Sequence, residues 1–266
     1  MSQPHRPRKR FSQNFLVDRT IIAEIVAAVS PQRDDTIAEI GPGLGALTRP
    51  LAAAVRKLHV VEIDRDIVAR LRSEFPPEHV IIHEGDALEF DFAALGPGLR
   101  VVGNLPYHIS TPLLFHLAGS GPALRDIHVM LQNEVVERMV ASSSSSDYGR
   151  LSVMLQYRFG MEKLIDVPPE AFRPPPSVDS AVVRMVPLTA TALRAKDERV
   201  LAETVAAAFS QRRKTLRNTL GRIITPEELD ALGIDSQRRA QTLSVEEFVR
   251  IADYRAEKES AQPAEG

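Results

Sequence analysis

Val101-Val102-Gly103 runs into Asn104-Leu105-Pro106-Tyr107, two β-branched residues and a glycine followed by an amide, an apolar residue, a proline and an aromatic ring. The pattern reads as a buried strand that stops in a stiff turn. A planar amine held there could give its hydrogens to the Asn104 side-chain oxygen and to a backbone carbonyl freed by the proline, with the Tyr107 ring stacked on the attached heterocycle. The bland alternative is an ordinary strand-to-helix turn. Upstream, Glu39 stands just ahead of Gly41-Pro42-Gly43-Leu44-Gly45. Strand, glycine loop and helix in that order make a nucleotide-type crevice, since glycines let backbone N–H groups approach a ligand at a helix N-terminus. The spacing departs from the G-x-G-x-x-G of dinucleotide sites, and an acid ahead of the loop suits a cation rather than a diphosphate. The cationic nucleoside that fits is S-adenosylmethionine. Glu62 falls about 20 residues beyond Gly41, where a ribose-binding acid is expected.

The elements that must position these residues follow from the pattern. Thr36–Ile40, Leu58–Asp64, Val80–Asp86, the stretch ending at Asn104, and Ile127–Leu131 read as strands with helical patterns between them. Such alternation implies a parallel sheet covered on both faces, whose ligand sits at the strands' carboxyl ends. Gly41, Glu62, Asp86 and Asn104 each end a different strand, so one crevice should collect all four. Ser152–Phe159 and Ser180–Val186 read as two further β-rich runs. The proline-dense Val167–Pro176 between them would present Phe172 as a second wall of the pocket. Phe11 and Phe15 flank an amide ahead of a helix and could form a lid. Beyond residue 197 the pattern is helical. There Arg212, Arg213, Lys214 and Arg217 stand together without an acid, over a buried stripe of Leu216 and Leu220, and suit phosphate contacts to RNA.

The chain has 266 residues, a net charge of −2 and no cysteine. Disulfides, thiolate metal sites and cysteine nucleophiles are excluded, and no clustered histidines suggest a metal. No apolar run is long enough to span a bilayer, and the basic start (Arg6, Arg8, Lys9, Arg10) is not followed by a signal-type apolar stretch, so the expected location is cytoplasmic.

Taken together, Ser12–Leu16, Glu39–Thr48, Val61–Asp64, Gly103–Tyr107, Tyr148–Ser152, Phe172–Ser180 and Gln211–Asn218 resemble, in order, the motifs of the bacterial small-subunit rRNA adenine N6,N6-dimethyltransferases, the KsgA/RsmA family. The resemblance implies an α/β fold: a Rossmann-like, seven-stranded class I methyltransferase domain over residues 1–190 with a basic N-terminal arm. A small all-helical, RNA- or ribosome-contacting domain over 191–258 and a disordered tail over 259–266 would follow. It implies S-adenosylmethionine-dependent dimethylation of two adjacent adenosines in a hairpin loop near the 3′ end of 16S rRNA, in an immature small subunit, by a monomer. Carried over by position, Asn14, Leu16, Gly41, Glu62, Asp86 and Asn104 would contact the cofactor, and Asn104, Leu105, Pro106, Tyr107 and Phe172 the target base. Two departures stand out: His108, where the family usually has Asn, and the run Ser142–Ser146, where it usually has Gly, Pro or Lys. A large-subunit rRNA adenine methyltransferase shares the pocket pattern but not Gln211–Asn218. An assembly factor whose binding outweighs its chemistry, and an NAD dehydrogenase, are the readings from other classes.

Overall fold

A computed structural model describes residues 14–189 and 194–261. In chain order the elements are β1 (Phe15–Leu16), α1 (Arg19–Val29), β2 (Ile37–Ile40), α2 (Thr48–Ala54), β3 (Leu58–Glu62), α3 (Arg65–Glu74), β4 (Val80–Glu84), β5 (Leu99–Asn104), α4 (Ser110–Gly119) and β6 (Leu124–Gln132). They continue with α5 (Asn133–Val140), α6 (Arg150–Gln156), β7 (Phe159–Val167), β8 (Phe172–Arg173), β9 (Ser180–Pro187), α7 (Glu198–Ala208), α8 (Leu216–Leu220), α9 (Pro226–Ala231) and α10 (Val245–Ala261). The lid candidate Phe11 and the basic start of the chain lie outside the described residues.

A seven-stranded sheet in the order β4-β3-β2-β5-β6-β9-β7 forms the first unit. Neighbours from β4 to β6 are parallel, and β9 runs antiparallel to β6. Strand order reverses between β2 and β5, and in an open α/β sheet that reversal opens a crevice at the carboxyl ends of the two strands. The join is close: Ile40 lies opposite Gly103, and a Cβ on Gly103 would come within 2.5 Å of the Ile40 carbonyl. Only glycine lets β5 run flush against β2 at that point. The central strands β2, β5 and β6 are mostly apolar and buried, as a sheet covered on two sides requires, whereas the edge strands β4 and β7 are partly exposed. β1 and β8 form a separate two-stranded ladder, with Leu16 opposite Phe172.

The chain divides into residues 1–136 with 160–187, and residues 137–159 with 188–266. The helical unit therefore takes in a segment from inside the α/β half of the sequence, which the simple boundary expected near residue 190 does not include. Its core joins Tyr148, Val153 and Tyr157 to Val200, Leu201, Leu216, Leu220, Phe248 and Ile251. This corrects the expectation of a β-rich run from Ser152: residues 150–156 are helical, and the strand begins at Phe159. The Gly149 N–H donates to Ser152 Oγ at 3.0 Å, and that hydroxyl donates to the Arg138 carbonyl at 2.5 Å. Gln156 donates to the carbonyls of Met139 and Ala141, and Val153 and Tyr157 face one core. A short apolar run is ambiguous between buried strand and buried helix until such partners exist. Of the tail expected over residues 259–266, residues 259–261 belong to α10 and the rest lie outside the described residues. No described helix is long and apolar enough to cross a membrane.

Candidate active site

Each site residue sits where a strand ends. β2 ends at Ile40 and the chain turns at Gly41 and Gly43, both with positive φ. A Cβ on Gly43 would meet the Phe15 ring at 2.9 Å, so the glycine lets that ring lie on the loop. β3 delivers Glu62, the turn after β4 delivers Asp86, and β5 delivers Asn104. These residues line one cavity of about 170 Å³ together with Asn14, Phe15, Ile63, Leu105, Pro106, Tyr107 and His108. A smaller cavity of about 30 Å³ shares Phe15, Gly41, Gly43 and Asn104 and adds Leu16 and Glu39.

The turn after β5 is tied down at four points. The Asn104 side-chain N–H donates to the Asn14 carbonyl at 3.1 Å, which leaves the amide oxygen as an acceptor. The Leu105 N–H donates to the Met130 carbonyl at 3.1 Å on the neighbouring strand. The Tyr107 hydroxyl shares a 2.6 Å hydrogen bond with Ser180 Oγ at the start of β9, and Ser110 Oγ donates to the Tyr107 carbonyl at 3.0 Å. Burial raises the Tyr107 pKa, so the phenol stays neutral.

The carboxylates of Glu39, Glu62 and Asp86 form no ion pair among the described residues, although the charge of Arg49 acts on Glu39 from a distance. Burial pushes Glu39 up to about 8, with the charge of Glu62 adding to the effect, and Glu39 Oε2 makes no hydrogen bond among the described residues. Burial likewise raises Glu62 to about 7, even though the Asp64 N–H donates to its Oε1 at 2.8 Å. Asp86 accepts from the Leu88 N–H at 2.9 Å and so also caps a turn. A crevice with unpaired acids, a glycine loop that a Cβ would fill, and apolar walls at Ile63 and Leu105 fits a cationic nucleoside. Among the described residues no cluster of His, Cys, Asp and Glu could hold a metal ion.

Of the residues singled out by sequence, Asn14, Gly41, Glu62, Asp86, Asn104, Leu105, Pro106 and Tyr107 meet in the larger cavity, and Leu16 lines the smaller one. Phe172 does not meet them. It is wholly buried, paired with Leu16 and packed in the core behind the ladder, rather than standing as an open second wall. Ser180, which anchors Tyr107, was visible only as part of the Phe172–Ser180 motif, because a serine at a strand start has no local signature. In the helical unit Arg212, Arg213, Lys214 and Arg217 are exposed and form no ion pair among the described residues, while Leu216 and Leu220 are buried beneath them. Arg212 donates to the Ser146 carbonyl.

Residues 4–257 match the family model described as ribosomal RNA adenine dimethylase. The chain belongs to that family. This dimethylase is 62% identical over 250 residues to a "Ribosomal RNA small subunit methyltransferase A" of Nitrosospira multiformis, covering 94% of this chain and 96% of that one. Among solved structures it superposes on a dimethyladenosine transferase from Plasmodium falciparum with a TM-score of 0.77 and 25% identity, over 89% of this chain and 95% of the other. The 23S rRNA methyltransferase ErmE gives 0.72 and 26% identity, over 92% and 100%. The class I methyltransferase fold is thus common to enzymes named for small- and large-subunit RNA. The close relative carries the small-subunit name.

Proposed function

We propose that the cavity at the carboxyl ends of β2 to β5 is where this enzyme, an S-adenosylmethionine-dependent 16S rRNA adenine N6,N6-dimethyltransferase, brings donor and adenine together. Bound S-adenosylmethionine supplies an electrophilic methyl group carried on a sulfonium. In this reading Glu62 accepts from ribose hydroxyls, Gly41, Asn14 and Leu16 close on the rest of the donor, and Asp86 with Ile63 and Leu105 borders its nucleoside. The target is one of two adjacent adenosines in a hairpin loop near the 3′ end of the RNA, in an immature small subunit. Its exocyclic amine is a poor nucleophile because the lone pair is delocalised into the ring. Asn104 Oδ1 and the Leu105 carbonyl, accepting both N6 hydrogens, favour a pyramidal nitrogen with a localised pair, while Tyr107 stacks on the base. Pro106 stiffens the turn that holds them. Arg212, Arg213, Lys214 and Arg217 contact RNA phosphates, each raising the salt dependence of binding. One copy of the chain carries both cavity and basic segment, which suits a monomer working on ribosomal particles in the cytoplasm.

The observation that carries this reading is the Asn104–Asn14 hydrogen bond, which turns the amide so that its oxygen remains an acceptor in the same cavity as Glu62 and Tyr107. Incubation with labelled S-adenosylmethionine and small subunits lacking the modification, followed by mapping of modified nucleotides, tests it. Two adjacent dimethyladenosines are expected from the native protein and almost none from Asn104→Ala. Modification of other nucleotides, or full activity in that variant, would sink it.

A further inference from the structure

His108 has no part in the chemistry described so far. It lies in a 3₁₀ turn, Tyr107–Ile109, directly after the Asn104–Tyr107 segment. Its side chain is exposed and lines the same cavity as Asn104 and Tyr107. The ring makes no hydrogen bond among the described residues, whereas the other described histidines are engaged or buried. His79 meets the Arg56 and Ala52 carbonyls, His116 meets the Phe90 carbonyl, His59 and His83 bond each other at 3.0 Å, and His128 is buried in β6.

The reaction must dispose of two protons for each dimethylated adenine. As N6 forms its bond to the incoming methyl carbon it becomes cationic, and one N–H bond must break with its electron pair returning to nitrogen. After the first transfer this restores the lone pair needed for the second. The nearby groups are poor receivers. An amide oxygen such as that of Asn104 is too weak a base, the Tyr107 phenol is neutral and tied to Ser180, and Asp86 accepts from the Leu88 N–H. Glu62 accepts from the Asp64 N–H and, in the reading above, is committed to the ribose hydroxyls of the donor. An imidazole at the solvent edge can take a proton, return it to water and be ready again before the second transfer.

We propose that His108 is the catalytic base that receives the proton leaving N6 at each methylation. The proton passes from N6 to a ring nitrogen lone pair, and the resulting imidazolium gives it up to bulk water, so both partners return to neutrality. This rests on the reading above in which Asn104 and Tyr107 hold the target adenine.

His108→Asn and His108→Ala test it in single-turnover reactions on unmodified small subunits at saturating donor. Both variants should be slowed by about tenfold or more, below or at the low end of the general-base range because water reaches the site. Added imidazole should restore part of the rate in His108→Ala. Without any methyl donor, the His108 ring signal in NMR should shift when an RNA hairpin with two adjacent adenosines is added. Native rates in both variants, or a slow His108→Ala that added imidazole does not rescue, would overturn the assignment while leaving the proposed function standing. A native protein that fails to methylate the particle overturns both.

Discussion

At the amino ends of β2, β5 and β6, buried acids close on a buried arginine; at the carboxyl ends of β2 and β3, equally buried acids form no ion pair among the described residues. Arg100 grips Asp126 through two hydrogen bonds of 2.8 and 2.9 Å, reaches Asp35 at 2.7 Å, and donates to the Val29 carbonyl at 2.6 Å. Burial alone would raise Asp126, but the His128 ring and the Arg100 guanidinium beside it bring its carboxyl down to about 2. Asp35 is lowered in the same way: its burial is outweighed by the Gln32 N–H and Arg100. Glu39 and Glu62 go the other way, to about 8 and about 7, because burial outweighs what opposes it, the Thr48 hydroxyl and the Arg49 charge at Glu39 and the backbone N–H groups of Asp64, Ile63 and Gly43 at Glu62. The difference separates structure from function within one sheet. Acids at the amino ends are neutralised by the chain itself, whereas in the proposed reading of the cavity the acids at the carboxyl ends meet their partner in a ligand.

The largest effect should come from breaking the satisfied end. Arg100→Met leaves Asp35 and Asp126 buried without their cation and should cost about 3–5 kcal/mol in denaturant unfolding. A loss below about 1 kcal/mol would mean that water compensates for the arginine and that the two ends are less different than their geometry suggests. At the other end, Glu62→Gln should leave folding intact and weaken S-adenosylmethionine binding by about 1.5–3 kcal/mol, the worth of a hydrogen bond to a charged acceptor. Calorimetry with equal affinities would take Glu62 out of the site.

The pH dependence gives a third, smaller contrast. In the ligand-free protein Glu39 and Glu62 keep their protons to about pH 8 and 7, but the unfolded chain loses them near 4.5. The unfolded state therefore binds fewer protons across this window, so the stability they contribute is complete below 4.5 and is lost as pH rises through 7 and 8. Asp126, at about 2 against 3.8, behaves oppositely: its contribution is complete above 3.8 and is lost as pH falls towards 2. Glu39→Gln should flatten the alkaline side of a melting-temperature profile and stabilise the ligand-free protein by about 1–3 kcal/mol at pH 8, the cost of a buried charge without a partner. A profile identical to that of the native chain would show that Glu39 is solvated. The smallest effect should be that of Arg125→Ala. Arg125 also reaches Asp35, at 2.9 Å, but its side chain is 55% exposed against 5% for Arg100. Its removal should change stability by less than about 1 kcal/mol, and a larger loss in thermal unfolding would show that the network depends on its rim.

Composition and periodicity alone determined much of this protein. The parallel strands follow from short β-branched runs separated by helical patterns, and the crevice follows from glycine, acid and amide falling at the ends of successive strands. These are local signals, carried by side-chain period and by glycine's access to positive φ. The proposed cofactor end was legible for the same reason. Tertiary structure decided what depends on partners distant in sequence. Residues 150–156 became a helix because Ser152 and Gln156 found carbonyls on the preceding segment and Val153 found the helical core. Phe172 was drawn into the core by the two-residue ladder with Leu16, a pairing that no pattern in either strand encodes. The Arg100–Asp126–Asp35 network was illegible because charged residues inside apolar strands carry no local sign of their partner. They are stable there only because three strand ends, far apart in the chain, arrive at one place.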